Sequence, residues 1–219
     1  MELAMTPDVQ AFFHESTNTF SYVVSDPGSS AAVVIDPVLD YDHKSGRTGT
    51  ASVEAVASCI RDKGLSVAWI LETHAHADHL TAAPYRKELL GARIAIGEGI
   101  RKVQENFRPI FNLKDLATDG SQFDRLFADG DSFAIGGLTG RVMNPPVRTS
   151  DSVTYVLGDA AFIGDTLFAP DYGTARVDFP GGDARLLYQS IQRLFSLPDK
   201  TRLFLCHDYP PEGRSETSM

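Results

Sequence analysis

The 219 residues are 42% hydrophobic and 22% charged, ordinary values for a globular chain of a length that favours one domain. No run of about 18 apolar residues occurs, so no membrane span is expected, and MELAMTPD lacks the basic start and apolar core of a secretory signal. A formal charge of −9 argues against a general nucleic-acid surface, and two cysteines, Cys59 and Cys206, make no disulfide framework, which fits a reducing cytoplasm.

From about Val9 to Pro37, β-rich runs (AFFHE, FSYVVSD, AAVVID) alternate with turn signals, which predicts an antiparallel meander ending at Asp36-Pro37. His14 in its first strand reads as packed or solvent-facing. Leu39 to Thr50 is polar, contains Gly46 and Gly49, and is expected to be a loop with His43 exposed. Ala51 to Lys63 has Val53, Val56, Ala57 and Ile60 at helical spacing, with Gly64 as the stop. Val67 to Leu71 is a buried strand. Leu80 to Leu90 is a helix capped by Thr81, with Pro84 in its first turn and Gly91 as the stop.

ARIAIG is a short strand, and Ile100 to Gly120 is helix plus loop. Strands follow at Phe123 to Phe127, Ser132 to Ile135 and Thr139 to Met143. Ser152 to Leu157 and Ala160 to Ile163 form a hairpin around Gly158-Asp159. Asp165 then stands just past the second of these strands. Asp183 caps a helix to Phe195, and the last strand, Arg202 to Cys206, delivers His207 at its carboxyl end. Strand alternation points Cys206 away from His207, so packing is its expected role. The remaining tail, PPEGRSETSM, is polar and expected to be disordered.

The chemistry concentrates in Thr73-His74-Ala75-His76-Ala77-Asp78-His79. Three imidazoles and a carboxylate at spacings of one or two residues let a short loop aim several nitrogen and oxygen donors at one point. That loop lies between a strand and a helix, where open α/β sheets usually carry their sites.

HxHxDH after an apolar strand resembles the signature of the metallo-β-lactamase superfamily, whose fold is an α/β, four-layer αβ/βα sandwich. Within it, DYDHKSGRTGTAS, GDTLFAPDYGTARVDFPGGDAR and RLFLCHDY are similar to the persulfide dioxygenases, close relatives of glyoxalase II type thioester hydrolases. The likeness runs from about Phe12 to His207. It implies metal ligands at His74 and His76 for a first position, at Asp78, His79 and His207 for a second, and Asp165 as the bridge between them. It also implies one divalent metal, Fe(II) with Zn(II) as the alternative, and a thiol-derived substrate, either glutathione persulfide or a glutathione thioester. Tyr172 and Arg176 fall on the matching substrate-side loop, where Arg176 either grips glutathione carboxylates or forms a surface salt bridge.

One ligand of the pattern is missing. Where the family loop reads roughly T-P-G-H-T, this sequence has Asn144-Pro145-Pro146-Val147-Arg148-Thr149, and no histidine lies between His79 and His207. Arginine stays protonated and only donates, so Arg148 cannot take the histidine's place. Three readings follow. Iron binds through His74 and Asp165, with waters or His76 recruited, as a weakened dioxygenase. Alternatively, zinc at Asp78, His79, Asp165 and His207 hydrolyses a thioester, lactone or related ester, with Asp78 as ligand or proton acceptor. In the third, Arg148 pairs with Asp165 or fills the metal position, leaving a noncatalytic binding protein. The short tail leaves room for a more open site or an altered homodimer.

Overall fold

A computed structural model describes residues 6–143, 151–178 and 183–219. In chain order its elements are β1 (Asp8–His14), β2 (Thr19–Ser25), β3 (Ala31–Ile35), β4 (Val38–Asp42), β5 (Arg47–Gly49), α1 (Ala51–Asp62), β6 (Ser66–Leu71), β7 (Leu80–Thr81), α2 (Ala83–Leu90) and β8 (Arg93–Gly97). They continue with α3 (Ile100–Ile110), β9 (Arg125–Phe127), β10 (Ser132–Ile135), β11 (Leu138–Met143), β12 (Thr154–Leu157), β13 (Ala160–Phe162), α4 (Ala184–Leu194) and β14 (Arg202–Phe204).

Two sheets face each other. One has the order β1-β2-β3-β6-β8-β9, antiparallel at first and parallel from β3 onward; the other has the order β10-β11-β12-β13-β14, with only β13 and β14 parallel. Alternation sorts the side chains. Tyr22, Val24, Val33, Ile35 and Leu71 meet Phe133, Tyr155, Leu157 and Phe162 of the opposite sheet in the central core. Val23, Val34 and Ile70 point the other way, onto Val56 and Ile60 of α1 and Ala83 of α2. Ala161 and Ile163 pack outward on Leu194 of α4. β2, covered on both faces, is buried throughout, with Phe20, Tyr22 and Val24 on the central-core face. Helix, sheet, sheet and helix make the four-layer αβ/βα sandwich.

Three local expectations are corrected. Leu39 to Thr50 is not a loop but mostly the β4–β5 hairpin, stabilised because Asp40 accepts from Ser52 N at 3.1 Å and Ser52 Oγ at 2.5 Å. Leu80 and Thr81 leave the helix to pair with β4, while Thr81 Oγ1 still takes the first helical amide, from Ala83, at 3.0 Å. The tail is not loose. Leu205 N donates to Ser218 O at 2.9 Å, Thr217 N donates to Asp208 at 2.6 Å, and Arg214 forks onto Asp208 at 2.7 and 2.8 Å. A polar segment folds back here because Asp208, wholly buried, needs those donors. No helix of the described residues is long and apolar enough to cross a membrane.

Candidate metal centre

Four chain segments converge, each just past the carboxyl end of a strand: Asp36 after β3, Glu72 to His79 after β6, Asp165 after β13, and Cys206-His207 after β14. The sandwich thus supplies a common rim to residues far apart in sequence. Gly164 makes the last approach possible. It sits at φ 53°, and a Cβ there would come within 3.1 Å of Thr73. His207 is pinned by an isolated bridge between its backbone and Thr19, next to Phe20 N donating to Cys206 O at 2.8 Å.

Asp165 stands between two groups of imidazoles. His74 Nε2 lies 3.6 Å from its Oδ2, and His207 Nε2 lies 3.4 Å from its Oδ1. On the His74 side the ring of His76 follows at 4.1 Å. On the His207 side, Asp78 Oδ2 lies 3.6 Å from His207 Nε2 and 3.2 Å from His79 Nδ1. All six sequence-derived metal residues, His74, His76, Asp78, His79, Asp165 and His207, therefore share one cluster.

A carboxylate beneath the cluster decides which nitrogens face it. Asp36 Oδ1 accepts from Thr73 N at 2.7 Å and its Oδ2 from Thr73 Oγ1 at 2.8 Å. Thr73 Oγ1, having spent its proton, accepts from His74 Nδ1 at 3.0 Å, which leaves Nε2 toward Asp165. His76 Nε2 sits 3.1 Å from Asp36 Oδ1 and 3.5 Å from Glu72 Oε2, so its Nδ1 is the free nitrogen. That atom is buried and has no hydrogen-bond partner, and the same is true of His79 Nε2. Buried polar atoms are almost always paired, and imidazoles oriented by carboxylates through one nitrogen are those that bind metals through the other. The donor set fits a divalent cation.

Electrostatics point the same way. Asp36 pays desolvation, but His76, His74 and the Thr73 amide outweigh it and hold its carboxyl down at about 2. Burial likewise pushes Asp78 up, but the His79 hydrogen bond and the nearby His207 outweigh it and hold its carboxyl well below the usual range. Burial also opposes charge on His76 and His207. Asp36 nevertheless raises His76 well above the ordinary value, and Cys206, Asp165 and Asp78 raise His207 to about 10. The carboxylates thus draw protons onto the imidazoles, and a bound cation would displace those protons.

Beside the cluster, a cavity of ≈ 460 Å³ is lined by Asp78, His79, His14, Thr17 and the β4–β5 residues Leu39, Tyr41, His43 and Lys44. The exposed Tyr172 packs on Tyr209 at 4.6 Å, and Tyr209 stacks on His207 at 5.8 Å, so Tyr172 reaches the rim through one ring. Arg176 is exposed, its Nε 3.2 Å from Asp178 Oδ1. Arg148 lies outside the described residues.

Sequence reading missed Asp36, Glu72, Asp151 and Cys206. Asp151 Oδ2 accepts from Ala75 N at 2.6 Å and so fixes the histidine loop. For Asp36 and Glu72 a signal existed: each is an acidic residue directly after an apolar strand, in AVVID and AWILE. Cys206 was expected to point away by alternation. The ladder stops at Phe204, and the thiol turns inward to lie 3.7 Å from Asp36 Oδ2.

Comparison with known proteins agrees with this geometry. Residues 16–207 match the family model of the metallo-beta-lactamase superfamily. A beta-lactamase hydrolase-like protein of Xylella fastidiosa is 54% identical over 95% of this chain, which spans 48% of that relative, about half its length. The human mitochondrial persulfide dioxygenase ETHE1 is 32% identical over 92% of this chain and 68% of its own. The crystal structure of ETHE1 from Myxococcus xanthus superposes with a TM-score of 0.74 at 31% identity, covering 96% of this chain and 79% of that one.

Proposed function

We propose that this chain, which belongs to the metallo-beta-lactamase superfamily, is a persulfide dioxygenase-type enzyme holding one Fe(II) through His74, His76 and Asp165. The observation that carries this is the pairing of His74 Nε2 with Asp165 Oδ2 at 3.6 Å beside His76, whose buried Nδ1 has no partner. Two imidazoles and one carboxylate are the donor set of non-haem iron oxygenases, and here His76 takes the part of the histidine that Arg148 replaces. Bound iron would supply dioxygen activation, which redox-inert zinc does not.

The chain's own residues do the rest. Asp36 and Glu72 hold His76 in one orientation, and Thr73 does the same for His74. The cavity bounded by Tyr41, His43 and Lys44 is the approach for a small thiol-derived substrate such as glutathione persulfide, with Lys44 suited to one of its carboxylates. Phe168, Tyr172 and Tyr209 form an aromatic cluster beside His207 that offers an apolar wall to a substrate. Tyr172 and Arg176 contribute to substrate binding from the rim.

A second reading is zinc-dependent hydrolysis of a glutathione thioester, lactone or related ester. It is favoured by the complete set Asp78, His79, Asp165 and His207, with Asp78 open to the cavity as proton acceptor. Anaerobic loading with Fe(II), followed by oxygen uptake and sulfite release on glutathione persulfide, tests the choice. Uptake with sulfite supports the dioxygenase. Thioester hydrolysis by the zinc-loaded chain, with no oxygen uptake by the iron-loaded one, overturns it in favour of the second reading.

A further inference from the structure

Cys206 has no role in either reaction, yet its side chain is buried at the centre of the cluster, only 2% exposed. Its Sγ, one nitrogen of His74 and one nitrogen of His76 all lie within 4.8 Å of one another. The unpartnered Nδ1 belongs to the second of these rings, whose side chain is 3% exposed and whose Nε2 is already committed to Asp36 and Glu72. A thiol and two imidazoles therefore lie close enough to share one ion, and the thiol is within the same distance of Asp165 and His207.

We propose that Cys206 is a further, thiolate donor to the metal position formed by His74, His76 and Asp165. The chain between His79 and Cys206 contains neither histidine nor cysteine, so a further imidazole or thiolate donor for this position has to come from outside that stretch. Cys206 reaches the position because the chain leaves the β14 ladder before it, which frees its side chain from alternation. On binding, the S–H bond breaks and its proton passes to solvent; the sulfur electron pair forms the bond to the metal, and nothing is oxidised or reduced. A thiolate among imidazoles strengthens the hold on zinc and remains compatible with iron. The proposal rests on the reading that a metal occupies the position formed by His74 and His76.

Cobalt(II) is the probe, because thiolate ligation gives an intense near-ultraviolet charge-transfer band that imidazole and carboxylate do not. The full chain, stripped of metal and titrated with Co(II), is expected to show that band. Cys59→Ser should keep it, and Cys206→Ser should lose it together with at least about tenfold in zinc affinity, the lower end of what removing even an outer partner of a ligand costs. The chain has only two cysteines, so a band retained in Cys59→Ser assigns the sulfur to Cys206 even where Cys206→Ser does not fold. Stoichiometric Co(II) without the band overturns thiolate donation while leaving the metal reading intact. Failure of the wild-type chain to bind Co(II) or Zn(II) overturns both.

Discussion

The two flanks of Asp165 carry similar donors on different foundations. Around His74 and His76 every imidazole is oriented from below, by Thr73, Asp36 and Glu72, and those supports are themselves buried. Around His79 and His207 the shared carboxylate is Asp78, whose side chain is 37% exposed and faces the cavity, and His207 Nδ1 is supported by the single hydroxyl of Thr19 at 3.2 Å. One flank is buried, with its imidazoles held by buried partners, and the other opens onto the cavity. Loss of a ligand at the Arg148 position is therefore best tolerated on the His74 flank, where the remaining donors are fixed by buried partners.

The largest effect is expected where both flanks meet. Asp165→Ala removes the carboxylate that His74 and His207 approach from opposite oxygens, and metal content measured by elemental analysis should fall by at least about 100-fold relative to the wild-type chain. Retained stoichiometric metal would mean that the two flanks bind independently.

Next comes the foundation itself. Asp36→Ala leaves His76 beside Glu72 without its main anchor and strips Thr73 of two hydrogen bonds. Breaking a buried pair of this kind costs about 3–5 kcal/mol, read as a lowered urea midpoint of the metal-free chain. Metal affinity should drop by about 10–100-fold. An unchanged midpoint would remove the distinction between a supported and an unsupported flank.

How much of this was legible in the sequence follows the same division. His74, His76, Asp78 and His79 stand within six residues, so their spacing alone announces convergence and no tertiary knowledge is needed. Asp165 and His207 were placed through their positions at strand ends and through family resemblance. Asp36 was passed over because an acidic residue before proline reads as a turn; only the fold shows that β3 and β6 are neighbours and bring it under Thr73. Cys206 was misdirected by extending strand alternation past Phe204, where backbone pairing had already changed partners to the tail. The β4–β5 hairpin was hidden by its polarity, since a strand pair exposed on most sides lacks the apolar alternation that marks a core strand.

A smaller effect belongs to the rim. Tyr172→Ala removes one ring from the stack over His207 without touching a donor, so metal content should be unchanged. KM for glutathione persulfide should rise about 2–10-fold, the scale of one lost aromatic contact. A loss of metal instead would extend the supported region outward to the aromatic cluster.

The most direct measurement compares one histidine from each flank. His76→Ala and His79→Ala chains are loaded anaerobically with one equivalent of Fe(II), freed of unbound metal, and analysed for iron. The account predicts that His79→Ala retains near-stoichiometric iron and His76→Ala loses it. Iron kept by His76→Ala and lost by His79→Ala would contradict it, moving the metal to the Asp78 flank and the chemistry toward hydrolysis.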